Sequence, residues 1–314
     1  MSGLTVEKTL GLAQLQDRGR FGVRHLGVTQ GGALDWIAAS WANQLLGNNP
    51  DCALIELPFG GVTLRCQQHT TLALTGADLQ ATLDTQPLPA WQSFRVAPGQ
   101  TLTLGPPRSG MRGYLAAPGG FDAPRVLNSR SEVRREQLGG LHGDGSPLGP
   151  GDLLAFGSAK PAPAAVPQQH IPDYLAAVCL ELILGAQIAL FSGQSLFALF
   201  NQPWQVDQRT DRMGLRLLGP ALRYQGPPII SEGIPLGTVQ VPADGQPIIL
   251  LNDRQTIGGY PRLGALSPAS VARLAQCAPG QQLMLKPTTL AKARTQQLAL
   301  QSAICTTLLV QSAY

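Results

Sequence analysis

Short apolar runs separated by turn residues fill residues 51–104, and they restrict the folds open to this chain. Runs of this length and spacing are typical of β-barrels and β-sandwiches. The chain also holds 36 glycines and 26 prolines among 314 residues, with only 13% charged residues, which suits many short strands. We therefore expect a mainly β fold with a few helices. Glu56 lies inside one run, and its burial would require a partner. The runs are 53–57, 61–64, 71–75, 81–83, 94–96 and 101–104.

A hairpin followed by polar residues is the clearest local pattern in the second half of the chain. Residues 238–241 alternate polar and apolar side chains, and residues 243–245 contain turn formers. Residues 247–251 are apolar over the length of a strand. Such a run predicts a strand covered on both faces.

Asp253 and Arg254 follow this strand directly, at a place where scaffolds usually present functional side chains. An arginine can hold a carboxylate through two parallel hydrogen bonds, and an aspartate can hold an amide N–H or move its proton. The alternative is a strand-end turn in which the two side chains satisfy each other. Gly258 and Gly259 are expected to leave room for a ligand beside Tyr260.

Two other Asp-Arg pairs occur, at Asp17-Arg18 directly after a predicted strand and at Asp211-Arg212 in the second half. Together with nearby polar residues they suit a site that grips a small acid or amide and moves a proton. The candidates for catalysis are Asp253, Arg254, Asp17 and Glu232, and the candidates for substrate binding are Arg18, Arg20, Asp211, Arg212, Gln255, Tyr260, Gly258 and Gly259.

Helix signals are few but specific. Asp35 is placed to cap a helix that runs through Leu46 and is stopped by Gly47, and Ser267 with Pro268 marks the start of another. A short helix is expected near residues 195–201, and apolar spacing predicts a terminal helix over residues 288–301.

Residues 158–172 are rich in Ala, Pro and Gln and mark a domain boundary. The sequence predicts an N-terminal β-barrel domain at 1–160 and a C-terminal β-barrel domain with a terminal helix at 173–314. Each half carries a strand-helix-strand pattern, which indicates two related barrels.

Composition and motifs argue against several classes of function. A net charge of +4 without runs of Lys or Arg argues against nucleic-acid binding. The five cysteines lack a C-x-x-C pair, so no metal site is expected. The sequence contains no phosphate-binding loop and no nucleophile elbow, so any ATP should bind to a partner. No leader or membrane segment is recognisable, and we expect a cytoplasmic protein.

Residues 231–262 closely resemble the corresponding segment of the C subunit of prokaryotic 5-oxoprolinase. The same family includes the KipA proteins, allophanate hydrolase subunit 2 and the carboxyltransferase region of urea amidolyases. Further blocks at 16–20, 27–43 and 211–217 carry the likeness. The chain departs from the pattern at Asn128, where the family has a glycine.

The resemblance implies two tandem cyclophilin-like β-barrel domains. It also implies a component of an ATP-dependent 5-oxoprolinase, which opens 5-oxo-L-proline to L-glutamate. The partners would be the 5-oxoprolinase B subunit, which is KipI-like, and the A subunit, with ATP and magnesium on these partners and no activity from this chain alone. Two alternatives remain, a biotin-dependent carboxyltransferase or allophanate hydrolase subunit 2 component, and a KipA-like regulatory protein.

Overall fold

The computed structural model describes residues 3–312, which form two compact units. The first unit comprises residues 3–20, 31–175 and 302–312, and the second comprises residues 21–30 and 176–301. A segment near each end of the chain thus belongs with residues that are distant in the sequence. The predicted domains 1–160 and 173–314 do not separate residues 21–30 from the first half or residues 302–312 from the second half. That division stays a prediction.

The fold of the described residues is mainly β, with four α-helices, as predicted. The strands are β1 Gly3–Lys8, β2 Gln14–Gln16, β3 Leu54–Pro58, β4 Val62–Cys66, β5 Thr70–Asp78, β6 Thr82–Leu83, β7 Gln86–Pro87, β8 Gln92–Val96, β9 Thr101–Leu104, β10 Ser109–Ala116, β11 Leu153–Ala155, β12 Ala164–Ala165, β13 Val178–Leu184, β14 Trp204–Thr210, β15 Gly214–Leu218, β16 Glu232–Gly233, β17 Thr238–Gln240, β18 Ile248–Leu250, β19 Ile257–Gly258, β20 Arg262–Leu266, β21 Gln282–Thr288 and β22 Val310–Gln311. The helices are α1 Trp36–Gln44, α2 Gly193–Asn201, α3 Pro268–Leu274 and α4 Leu290–Thr306.

The first unit consists of two sheets around an apolar core. One sheet has the order β11-β1-β4-β9-β6-β7, and the other has the order β2-β3-β10-β5-β8-β12-β22. Leu15, Ile55 and Leu102 are among the fully buried core residues. Helix α1 contacts β5 and β10, and it begins as predicted, because the Asp35 side chain accepts a hydrogen bond from the Ala38 N–H.

A closed barrel forms the second unit, with the strand order β13-β20-β17-β18-β15-β14-β21. Antiparallel pairs make up most of it, and the parallel pair β13 and β21 closes it. The predicted hairpin is confirmed, since Val239 of β17 lies opposite Ile249 of β18. Helix α3 starts with the predicted Ser267 cap and Pro268. No helix within the described residues is long and apolar enough to span a membrane.

Glu56 illustrates how the first unit buries a charge. Its side chain is fully buried, and Oε2 accepts hydrogen bonds from the Leu34 N–H at 2.8 Å and the Tyr114 hydroxyl at 3.0 Å. The Tyr114 hydroxyl also accepts from the Asp35 N–H at 2.8 Å. Burial, with the charge of Glu56, raises the pKa of Tyr114 well above its ordinary value. Glu56 therefore has the partners that its burial requires, and it ties the start of α1 to the sheet.

Candidate functional site

The predicted site residues are divided between the two units. The first unit contains Asp17, Arg18 and Arg20, and the second unit contains Asp211, Arg212, Glu232, Asp253, Arg254, Gln255, Gly258, Gly259 and Tyr260.

Asp253 forms a bidentate ion pair with Arg212 just after strand β18. Its Oδ2 accepts from Arg212 Nε at 3.0 Å, and its Oδ1 accepts from Arg212 Nη2 at 3.1 Å. The exposed fractions of the two side chains are only 13% for Arg212 and 9% for Asp253. The Asp253 N–H also donates to the Arg212 carbonyl at 2.9 Å. The carboxylate thus pairs with an arginine from a preceding loop and not with the neighbouring Arg254.

Arg254 is buried without such a partner, with 3% of its surface exposed. Its Nε donates to the Ile234 carbonyl and its Nη1 to the Leu251 carbonyl, both at 3.1 Å. Within residues 3–312 no carboxylate forms an ion pair with this guanidinium. Carbonyl oxygens are only partial charges, so the positive charge of Arg254 is not neutralised by them.

Arg24, which the sequence analysis did not single out, lies beside Arg254. It begins the 3-10 turn Arg24–Leu26, and its Nη2 donates to the Thr256 carbonyl at 3.0 Å and to the Ile234 carbonyl. Burial, followed by the positive charge of Arg24, lowers the pKa of Arg254 to about 10, against the opposing charge of Asp253. Two guanidinium groups therefore share the carbonyl oxygen of Ile234. No local signal could have found Arg24, because its partners are more than two hundred residues away.

The ribbon of β16 and β19 lies next to this arginine pair. Glu232 in β16 is exposed and forms an ion pair with Arg262. A side chain at Gly258 would meet Ile234 Cδ1 at 2.5 Å, and one at Gly259 would meet the Ile229 carbonyl at 3.1 Å. The position that a Cβ atom would take at either glycine is therefore occupied by the protein's own atoms, and the expected room for a ligand beside Tyr260 stays a prediction.

The other predicted residues of the second unit lie at or near its surface. Tyr260 has 52% of its surface exposed, and Gln255 is half-buried. Asp211 is exposed, and its Oδ1 accepts from the N–H groups of Met213 and Gly214 at 2.8 and 3.0 Å. Asp211 therefore caps the turn that precedes β15, and this turn positions Arg212 beside Asp253.

Asp17, in the first unit, anchors a loop. Its Oδ1 accepts hydrogen bonds from the Ser129 and Ser131 hydroxyls at 2.7 and 2.6 Å, and its Oδ2 accepts from the Arg130 N–H at 2.7 Å. The Gly19 N–H donates to the same carboxylate at 2.8 Å. Every donor belongs to the protein itself, so Asp17 serves this loop as an anchor.

The loop also explains the departure at Asn128. Leu127 and Asn128 have φ angles of 52° and 64°, in the left-handed region that favours glycine. Asparagine tolerates this region better than most residues, so Asn128 can adopt a conformation that a glycine would also allow.

Arg20 and Arg18 contribute to the first unit in different ways. Arg20 is 1% exposed and donates to the carbonyls of Val126 at 3.0 Å and Ser131 at 2.5 Å. Arg18 lies at the surface, 3.5 Å from Asp51. Within the part of the chain that the structure describes, no three His, Cys, Asp or Glu residues are grouped to hold a metal ion.

Replacing Asp17 by asparagine should destabilise the first unit by about 2–4 kcal/mol, because an amide cannot accept all four hydrogen bonds. Urea unfolding measures the loss. The matched control is Asp51→Asn, which removes an exposed ion pair and should change stability by less than about 1 kcal/mol. Equal stability of the two variants would contradict the anchoring role of Asp17.

Comparison with known proteins places the chain in a family. The sequence model of the family described as carboxyltransferase domain, subdomain A and B, matches residues 26–287. The chain belongs to this family of carboxyltransferase-domain proteins. Among its relatives, the C subunit of 5-oxoprolinase from Haemophilus influenzae is 36% identical over 284 residues, covering 90% of each chain. The C subunit of 5-oxoprolinase from Escherichia coli is 38% identical over 270 residues, covering 85% of each chain.

The fold is also shared with a solved structure. The crystal structure of Kluyveromyces lactis urea carboxylase matches with a TM-score of 0.90 at 25% identity, covering 96% of this chain. The match spans 29% of the urea carboxylase chain, so this chain corresponds to one part of that protein. The resemblance drawn from the sequence motifs is thereby confirmed.

Proposed function

We propose that this chain is the C-type subunit of an ATP-dependent 5-oxoprolinase, which adds water across the lactam C–N bond of 5-oxo-L-proline to give L-glutamate. The near full-length match to two bacterial 5-oxoprolinase C subunits carries this proposal. The A and B subunits of 5-oxoprolinase are the proposed partners, and ATP and magnesium are proposed to bind to them.

The arginine pair gives the proposal a chemical basis in this chain. 5-Oxoproline is a carboxylate, and a buried guanidinium that lacks a carboxylate partner is a suitable group to hold it. Arg254 is such a group, the half-buried Arg24 lies beside it, and a bound carboxylate would offset the repulsion between their two charges. Both oxygens of Asp253 accept from Arg212, which supports a positioning role for Asp253.

A carboxyltransferase role is the second candidate, and the likeness to urea carboxylase favours it. The same arginine pair would then hold a different carboxylate. The reaction that the assembled protein catalyses separates the two candidates.

The purified chain alone should release no glutamate from 5-oxoproline, ATP and magnesium. Addition of the A and B subunits from the same genome should produce glutamate and ADP, and omission of this chain should abolish both. Co-elution in size-exclusion chromatography tests the partnership with the B subunit. Turnover by this chain alone, or normal turnover by the A and B subunits without it, would contradict the proposal.

A further inference from the structure

A buried neutral donor lies close to the arginine pair. Gln240, in strand β17, has 2% of its surface exposed. Within the described part of the chain its Nε2 atom has no hydrogen-bond acceptor. A buried amide N–H₂ without an acceptor is costly, and in a native fold it calls for a reason.

Ile234 connects Gln240 to the arginine pair. Its carbonyl oxygen accepts from both Arg254 and Arg24. Its side chain and Gln240 Nε2 both lie over the α-carbon of Gly258, where an added Cβ would meet them at 2.5 and 3.0 Å. Ile234 thus contacts both guanidinium groups through its carbonyl oxygen, and its side chain lies beside the Gln240 amide at Gly258.

All three groups near Ile234 are donors, and two of them are cations. A complementary ligand therefore needs a carboxylate for the arginines and an uncharged acceptor for the amide. We propose that Gln240 is a specificity-determining residue that donates from Nε2 to a carbonyl oxygen of a small carboxylate. This inference rests on the proposed function, and for 5-oxoproline the carbonyl is that of the lactam.

Close packing accounts for the glycine at position 258. A side chain there would displace the Gln240 amide and Ile234 together. The φ angle of Gly258 is not in the left-handed region, so close approach and not backbone conformation accounts for the glycine. Gly258 thereby allows the Gln240 amide and Ile234 to lie this close to the backbone of β19.

Ligand discrimination tests the role of Gln240. Binding of 5-oxoproline and of two ring analogues, 3-oxocyclopentanecarboxylate and cyclopentanecarboxylate, is measured by calorimetry on the assembled complex without ATP. The two analogues differ only in the carbonyl oxygen. The wild type should prefer the oxo compound, and Gln240→Met, which keeps the side-chain length, should reduce this preference by about fivefold to tenfold. Arg254→Lys should weaken both analogues alike, since both carry the carboxylate.

A second variant guards against a purely structural effect. Gln240→Glu keeps the shape of the side chain but replaces the donor by an acceptor, so it should also lose the preference for the oxo compound. Thermal unfolding checks that each variant is folded. If both folded variants keep the wild-type preference while 5-oxoproline still binds, the role of Gln240 is wrong and the proposed function stands. If the wild-type complex binds no 5-oxoproline, the proposed function is wrong, and this inference falls with it.

Discussion

Replacing Arg254 by methionine is expected to reduce 5-oxoproline binding by about 100-fold or more without lowering the stability of the protein. The binding loss follows from removal of charge-assisted hydrogen bonds to the carboxylate. Stability should hold because neither carbonyl loses its last donor. The Ile234 carbonyl still accepts from Arg24, and the Leu251 carbonyl still accepts from the backbone N–H of residue 254, at 3.2 Å in the wild type.

The variant should in fact be more stable than the wild type. The pKa of Arg254 is lowered from its ordinary value to about 10, so the folded protein keeps this charge at a cost. One pKa unit corresponds to 1.36 kcal/mol, which makes the cost roughly 3 kcal/mol. Because the folded-state pKa is the lower one, the cost is fully present below it and is relieved only as the pH rises through about 10. The gain in stability should therefore be constant between about pH 6 and pH 9.

Calorimetric binding and urea unfolding of the same preparations test this expectation. Arg223→Met is the matched control, because Arg223 is an exposed arginine of the same unit. It should change neither binding nor stability. A destabilised Arg254→Met, or one that binds 5-oxoproline normally, would contradict a carboxylate-binding role for Arg254.

Asp253→Asn should instead destabilise the second unit by about 3–5 kcal/mol. The substitution leaves the guanidinium of Arg212 largely buried without its carboxylate, and breaking a buried pair from one side is costly. The neighbours Asp253 and Arg254 are therefore expected to respond in opposite ways to loss of their charge. Urea unfolding of the two single variants measures this difference directly.

A double variant tests whether Asp253 and Arg212 stabilise the fold as an ion pair. Asp253→Leu combined with Arg212→Met removes both charges of the pair. The double variant should lose less stability than the sum of the losses measured for Asp253→Leu alone and Arg212→Met alone. Glu232→Gln is the control, since it breaks the more exposed ion pair with Arg262 and should cost less than about 1 kcal/mol. Additive losses in the double variant would show that Asp253 and Arg212 act independently.

Local signals in the sequence predicted much of the fold. The Asp35 cap, the Ser267 cap with Pro268 and the hairpin of β17 and β18 are confirmed, because each depends on neighbouring residues. Residues 188–191 show where such local signals fail. Residues 188–191 resemble a strand in composition, yet Ile188–Leu190 forms a 3-10 turn, in which the Ile188 N–H donates to the Gly185 carbonyl. Short apolar segments of this kind do not distinguish a strand from a turn.

The sequence by itself determined the β class, the family and the position of Asp253 and Arg254 at the end of a buried strand. Only the tertiary structure decided which charges pair. Arg212 reaches Asp253 across 41 residues, and Arg24 reaches the Thr256 carbonyl across 232 residues. Such contacts depend on how the barrel closes, and the residues next to a side chain in the sequence do not indicate its distant partners. The same holds for Gln240, an ordinary strand residue in the sequence, because its unpaired amide exists only once the barrel has surrounded it.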